Sequence, residues 1–370
     1  MTRDLRGTPR YRELWEHFRR AYEPSLGRPN GAVDLCVSPD GMQIAFDGPV
    51  YEKLEGLPVT RIAGVATAGG DVRMLTSGPN SDRFPRWSPD GSRLAFLSDR
   101  QTRGRFELYI GGAGGGDAKR AAEVPGTIEW FDWSPDGLRL LVQTAGLDAD
   151  AAGAHGSGTI AKTSSDDEPA WLPDVEDNVP ANMWRDAWVV DAATGDVRRA
   201  SAQGANVWEA AWLGNSHFAA IVSENPRESA WYGAPLAACA VGGAMEIIHR
   251  PHEEMGLPAA SPDGRFIAVV EACCSDRAVV AGDVLLFDRA VSEDVGRRVD
   301  TGGVDVTQLV WAGPDRFLYV GVRRFETVAG YIDASTGRSI ERWSTRETCG
   351  KRYPSAWPIP GHDAFVVVLH

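Results

Sequence analysis

The turn Ser-Pro-Asp-Gly occurs four times, at Ser38–Gly41, Ser88–Gly91, Ser134–Gly137 and Ser261–Gly264. A turn that returns with the same flanks implies a chain built from similar units, which removes most folds from consideration. The copies read VDLCVSPDGMQIAFDG (Val33–Gly48), RFPRWSPDGSRLAFLSDR (Arg83–Arg100), IEWFDWSPDGLRLLVQT (Ile128–Thr144) and LPAASPDGRFIAVVE (Leu257–Glu271). In each, a short strand enters the turn and an apolar strand leaves it. Proline sets φ at the first central position, aspartate accepts from nearby backbone N–H groups, and glycine tolerates positive φ.

The same frame finds three degenerate copies: AAWLGNSHFAAIVSE (Ala210–Glu224), LVWAGPDRFLYVGV (Leu309–Val322) and AWPIPGHDAFVVVL (Ala356–Leu369). Most copies lie about 50 residues apart, the period of a four-stranded propeller blade. A second hairpin pattern follows several of them. It appears in RIAGVATAGGDVRMLT (Arg61–Thr76), DAWVVDAATGDVRRA (Asp186–Ala200) and VAGYIDASTGRSIERW (Val328–Trp343), with GDVLLFDR (Gly282–Arg289) as a third strand. The expected fold is therefore all-β, a seven-bladed β-propeller over residues 31–370 with its last blade incomplete. Trp87, Trp133, Trp212, Trp311 and Trp357 share one register before the turn and are expected to wedge between blades.

Two stretches do not repeat. Residues 1–30 form a separate helical segment and linker, in which Tyr11, Leu14, Trp15, Phe18 and Tyr22 recur at helical spacing over Pro9–Tyr22. Thr8 is placed to cap that helix and Pro9 to open it. Gly146–Arg185 is a long polar insertion in the third unit, containing the acidic run Asp166-Asp167-Glu168 and the apolar Trp171, Met183 and Trp184.

Composition narrows the function classes. The net charge of −13 and the lack of a Lys/Arg cluster argue against nucleic acid as a partner. The N-terminus has no apolar core of a signal peptide, and no apolar run reaches membrane-spanning length, so a cytoplasmic setting without membrane contact is expected. Five unevenly spaced cysteines (Cys36, Cys239, Cys273, Cys274, Cys349) do not suggest a disulfide scaffold.

Chemistry-bearing motifs are absent. The sequence has no GxSxG elbow, HExxH, Cys-x-x-Cys, Walker A loop or GxGxxG before a strand. No catalytic, cofactor-binding or metal-ligating residue is therefore assigned, and no cofactor is expected. His249 and His252, beside Glu253 and Glu254, are read as a solvated turn in preference to a metal site. In ENPRES (Glu224–Ser229), Glu224 and Arg227 are candidates to reach into the ring opening and bind a charged peptide terminus.

The WSPDG…LAFLSDR pattern together with DAATGDVRR resembles the N-terminal propeller of prolyl-oligopeptidase-type serine peptidases, with the acylaminoacyl-peptidase and dipeptidyl-peptidase-like enzymes as the nearest subgroup. The motifs are shared with TolB-like propellers. The resemblance covers roughly residues 31–370, and the N-terminal helix fits a segment that contacts the hydrolase domain in such enzymes. It implies a propeller that restricts peptide access to an α/β-hydrolase domain carrying a Ser-Asp-His triad. Residues 1–370 contain no such domain, so no catalytic residue carries over. The expectation is a non-catalytic propeller whose partner is an α/β-hydrolase catalytic domain, in the same full-length chain or a separate one, acting on peptide substrate. On that reading the polypeptide continues past His370, or a second chain completes the last blade. The alternatives are a TolB-like scaffold for protein interaction and a metal-dependent propeller lyase or hydrolase.

Overall fold

The computed structural model describes residues 4–147, 149, 181–273, 275, 277, 279–291, 295–350 and 353–369. Six four-stranded antiparallel sheets follow one another along the chain, each made of consecutive strands. Their first and last strands run from Val33–Val37 to Arg73–Met74, Asp82–Trp87 to Lys119–Arg120, Thr127–Trp133 to Val197–Arg199, Asn206–Leu213 to Met245–His249, Glu254–Ala260 to Arg297–Val299, and Asp305–Trp311 to Ser339–Thr345. These are blades 1 to 6. The seventh unit is a two-stranded hairpin, Ala356–Pro358 with Phe365–Val367.

The propeller thus has six blades and not the seven expected. All seven inner hairpins exist, but an inner hairpin is only half a blade. Counting its copies overcounts blades wherever the outer pair does not follow.

The turns form as their residues dictate. In the four Ser-Pro-Asp-Gly copies the serine hydroxyl donates to the aspartate at 2.5 Å, and the glycine N–H donates to the serine carbonyl. Gly41, Gly91, Gly137 and Gly264 all have φ between 70° and 80°, where a Cβ would be strained. The hydroxyl and nearby backbone N–H bonds hold the Asp90 carboxyl down at about 2.

Apolar strand faces are buried between blades, not within them. Ala45 and Ile62 of blade 1 pack with Leu94, Phe96 and Tyr109 of blade 2. Leu318, Val320 and Tyr331 of blade 6 pack with Ala356 of the terminal hairpin. Of the register tryptophans, Trp133 and Trp212 are buried, while Trp87, Trp311 and Trp357 are half-buried. The indoles of Trp133 and Trp212 donate across the blade boundary to the carbonyls of Arg86 and Asp132, at 3.1 and 3.0 Å.

An arginine just past the turn adds a strut. Arg93 lies 4.7 Å from the Trp133 ring centroid and donates to Gly137 O at 2.8 Å. Arg139 repeats this on Trp212 and Asn215 O, and Arg316 reaches His362 O in the terminal hairpin.

The N-terminal helix spans Pro9–Tyr22, with Thr8 Oγ1 accepting the Tyr11 N–H. None of its residues is buried, and Tyr11, Leu14, Trp15, Phe18 and Tyr22 remain 40–56% exposed. No helix among the described residues is long and apolar enough to cross a membrane. Most of the 146–185 insertion, including Asp166-Asp167-Glu168 and Trp171, lies outside the described residues. Its stem closes where Gly146 N–H donates to Trp184 O, and Met183 and Trp184 are half-buried.

Candidate functional site

In an antiparallel blade, the link from strand two to strand three and the link to the next blade leave from the same end. The turns of the Ser-Pro-Asp-Gly type lie at the opposite end. This topology collects the insertion's stem (Ala145–Gly146 and Trp184–Arg185), the Glu224–Pro235 link, the described residues after Ala272 and the His249–Glu254 link on one rim of the ring.

Beneath that rim, blades 3 to 5 enclose a charged and aromatic cluster. Arg185, the first residue of its strand after the insertion, is buried and forked onto Glu129 of the innermost strand of the same blade, one strand (Arg139–Ala145) away, with Nε to Oε2 at 3.1 Å and Nη2 to Oε1 at 3.2 Å. Gln143 donates to Glu129 Oε2 and to the Trp208 carbonyl at 2.6 Å. Trp208 is the extra residue of a β-bulge between Val207 and Glu209, a feature that re-aims a side chain. Its indole N–H donates to Ser223 Oγ at 2.8 Å. The Arg185 and Arg277 guanidinium groups lie 5.2 and 5.9 Å from its ring centroid, within cation–π range. Arg277 also pairs with Glu228 at 3.4 Å.

Glu209 completes the cluster. Burial pushes its carboxyl up to about 7, against the opposing effects of the Leu257 N–H at 2.7 Å, Arg277 and Trp231. Its Oε1 and the Trp231 Nε1 are both buried without a hydrogen bond of normal geometry among the described residues.

A second buried charge group lies nearer blades 1 to 3. Asp47 accepts the N–H of Phe84 at 2.8 Å, where the inner strand bulges and Phe84 takes φ 57°. Burial first, and then the charge of Asp34, raise the Asp47 carboxyl well above the usual range. Burial lowers Arg83 despite the carboxylates of Asp34, Asp47, Asp99 and Glu129 around it. Arg86 stacks on Phe84 and on Trp357 of the terminal hairpin, at 3.7 and 4.8 Å.

The candidates from sequence fall around, not within, these clusters. Glu224 is exposed on the blade 4 rim link, and Arg227 is half-buried at the start of the short 3-10 turn Glu228–Ala230, its N–H on Asn225 Oδ1. His249 is half-buried and His252 exposed, and Glu271 Oε1 accepts the backbone N–H groups of His252 and Glu253, at 2.7 and 3.2 Å. The described residues contain no group of three or more His, Cys, Asp or Glu side chains placed to hold a metal ion. Cys36, Cys239 and Cys349 are buried free thiols, and Cys273 is exposed. Sequence reading missed Glu129, Arg185, Trp208, Glu209 and Arg277. The available signal was a carboxylate inside an apolar inner strand, as in TIEWFDW and NVWEAAWL.

No protein-family profile matches the chain, and no curated protein matches it. Solved structures do. Acylaminoacyl peptidase from Pyrococcus horikoshii superposes with a TM-score of 0.57 at 15% identity, over 92% of this chain and 51% of that one. The propeller domain of the Trilobed protease from Pyrococcus furiosus, described as having an open velcro topology, gives 0.56 at 13% identity over 86% and 88%. A manganese-bound oligogalacturonate lyase gives 0.54 at 14% identity over 82% and 74%. The chain shares the propeller fold with all three and spans about half the length of the acylaminoacyl peptidase.

Proposed function

We propose that this chain is the non-catalytic propeller of a serine-peptidase-type assembly, docked on an α/β-hydrolase domain and limiting which peptides reach it in a cytoplasmic setting. The observation that carries this reading is the N-terminal helix. Five aromatic or aliphatic side chains line one face of Pro9–Tyr22 and stay exposed. A stripe of that kind marks a surface built to be covered. The resemblance to acylaminoacyl peptidase, over about half of that enzyme, supports a hydrolase domain as the cover.

The rim over blades 3 to 5 supplies the means of selection. Glu224 and Arg227 are proposed to meet the charged end of a peptide, with the paired Arg185, Arg277 and Trp208 fixing the link that carries them. A TolB-like interaction scaffold remains the second reading, since the same exposed helix would serve it.

The experiment is affinity purification of the chain at native expression level, followed by a fluorophosphonate probe for active serine hydrolases. A probe-reactive α/β-hydrolase polypeptide or domain is expected in the complex, and it is expected to be lost in the double variant Trp15→Glu, Phe18→Glu. A complex without any probe-reactive species contradicts the peptidase reading. Retention in the double variant contradicts the docking role of the helix.

A further inference from the structure

The rim that carries the blade 3 to 5 cluster has a second concave surface, over blade 6. It is a cavity of about 800 Å³. Gly302 and Gly303 line it from the link between blades 5 and 6, Arg323–Glu326 from the turn between the second and third strands of blade 6, and Arg346 from just past the last strand of that blade.

The turn runs against its own backbone preference. Arg323 pairs with Glu326, so the hairpin closes on two residues, Arg324 and Phe325. Arg324 takes φ 59°, at a turn position where glycine is the usual choice. Backbone strain of this kind clusters at ligand clamps and switch regions. The tip presents Phe325, which at 91% is the most exposed large apolar side chain among the described residues. The two glycines leave the link's backbone uncovered. A Cβ on Gly303 would meet no atom within 4 Å, and one on Gly302 only Arg323 Nη1 at 3.8 Å.

The lining holds three arginines and one glutamate. Arg323 is committed to the fold, with Nη1 on Glu341 Oε2 at 2.7 Å and Nη2 on Oε1 at 3.3 Å. The Arg346 side chain is 85% exposed, its Nε 3.6 Å from Glu326. Arg324 is exposed and has no ion pair among the described residues. Unlike the struts Arg93, Arg139 and Arg316, neither Arg324 nor Arg346 bridges two blades among the described residues. A surplus of positive charge thus faces this cavity on a chain of net charge −13. A guanidinium matches a carboxylate through two parallel N–H···O bonds, and arginine beside an exposed aromatic ring is the composition of an interface hot spot. A phosphate chain fits less well, because Glu326 and Glu341 stand among the arginines and an acidic protein repels a polyanion.

We propose that this corner of the rim binds an acidic peptide segment. Arg324 and Arg346 each take a carboxylate, and Phe325 packs on an apolar side chain between them. The inference does not require the partner to be a hydrolase.

The probe is the rhodamine-labelled peptide Glu-Glu-Leu-Glu-Glu, with Gln-Gln-Leu-Gln-Gln as its neutral counterpart. Each is titrated with the purified chain at low ionic strength and read by fluorescence anisotropy. The acidic peptide is expected to bind, and the neutral one to bind about tenfold more weakly or not at all. The double variant Arg324→Gly, Arg346→Gln gives the turn the residue its φ favours and removes both free cations. It is expected to keep or raise the thermal midpoint and to weaken the acidic peptide by about tenfold or more. Phe325→Ser, at an exposed tip, is expected to leave the midpoint unchanged and to weaken binding as well. Absence of binding by the parent chain overturns the proposal, as does equal binding of the neutral peptide or undiminished binding by either variant. Tighter binding of a single-stranded oligonucleotide than of the acidic peptide also overturns it, since the site then selects phosphate.

Discussion

Glu209 shows how a single buried carboxyl can make this fold sensitive to pH. Its folded value near 7 stands above the ordinary 4.5, mainly because of burial. A raised acid holds its proton more tightly when folded, so its contribution to stability is present at low pH and is lost as pH rises from about 4.5 through about 7. Glu209→Gln keeps an acceptor for the Leu257 N–H and removes the titration. The stability difference between parent and variant, from denaturant midpoints, is expected to move against the parent across that window. A flat difference contradicts the assignment. Arg185 is a buried charge paired with the buried Glu129. Arg185→Met strands Glu129 and is expected to cost about 3–5 kcal/mol, much of it recovered when Glu129→Leu is added. If the double variant is as unstable as the single one, the pair is not what the position requires.

At the scale of elements, the blade boundary is held by the tryptophan before the turn and the arginine after it. Trp133→Ala is expected to destabilise by about 3–5 kcal/mol, because the side chain is buried and its indole N–H crosses to Arg86 O. Trp311→Ala is expected to cost clearly less, since Trp311 is half-buried and its Nε1 has no hydrogen-bond partner. Equal losses in a denaturant titration contradict this division. The hairpins themselves were legible because Pro-Asp-Gly and Asp-x-x-Thr-Gly encode their turns locally. Asp191 and Asp333 each accept backbone N–H groups inside their own hairpins, as that pattern implies. The N-terminal helix was legible for the same reason, through Thr8, Pro9 and the spacing of its aromatic side chains. The Trp208 cluster was not. It joins residues 129, 143, 185, 208 and 277, which only the ring brings together, and its bulge leaves no local mark in NVWEAAWL. Seven blades were expected because the seventh inner hairpin shares the frame of the other six, whereas Ala356–Pro358 and Phe365–Val367 form a two-stranded sheet only.

For the molecule as a whole, each sheet is built from consecutive strands, and among the described residues no shared strand ties blade 1 to the terminal hairpin. The junction is packed by Trp357, Val366 and Val368 against Leu35, Phe46 and Ala63 of blade 1, and Arg86 of blade 2 reaches across to the Trp357 ring. That junction is expected to open before any boundary between complete blades, with Ala356–Val367 exchanging its amides faster than the inner strands of blades 3 to 5. The exposed helix and the charged rim are two surfaces on a scaffold whose sequence carries no nucleophile elbow. On the proposed function, this chain gates chemistry supplied by a hydrolase partner. The direct measurement is fluorophosphonate labelling of the purified chain, followed by peptide mapping and a peptide-hydrolysis assay on the same sample. No labelled residue and no turnover are expected. A single labelled serine within residues 1–370, with turnover that disappears on its replacement by alanine, would contradict it.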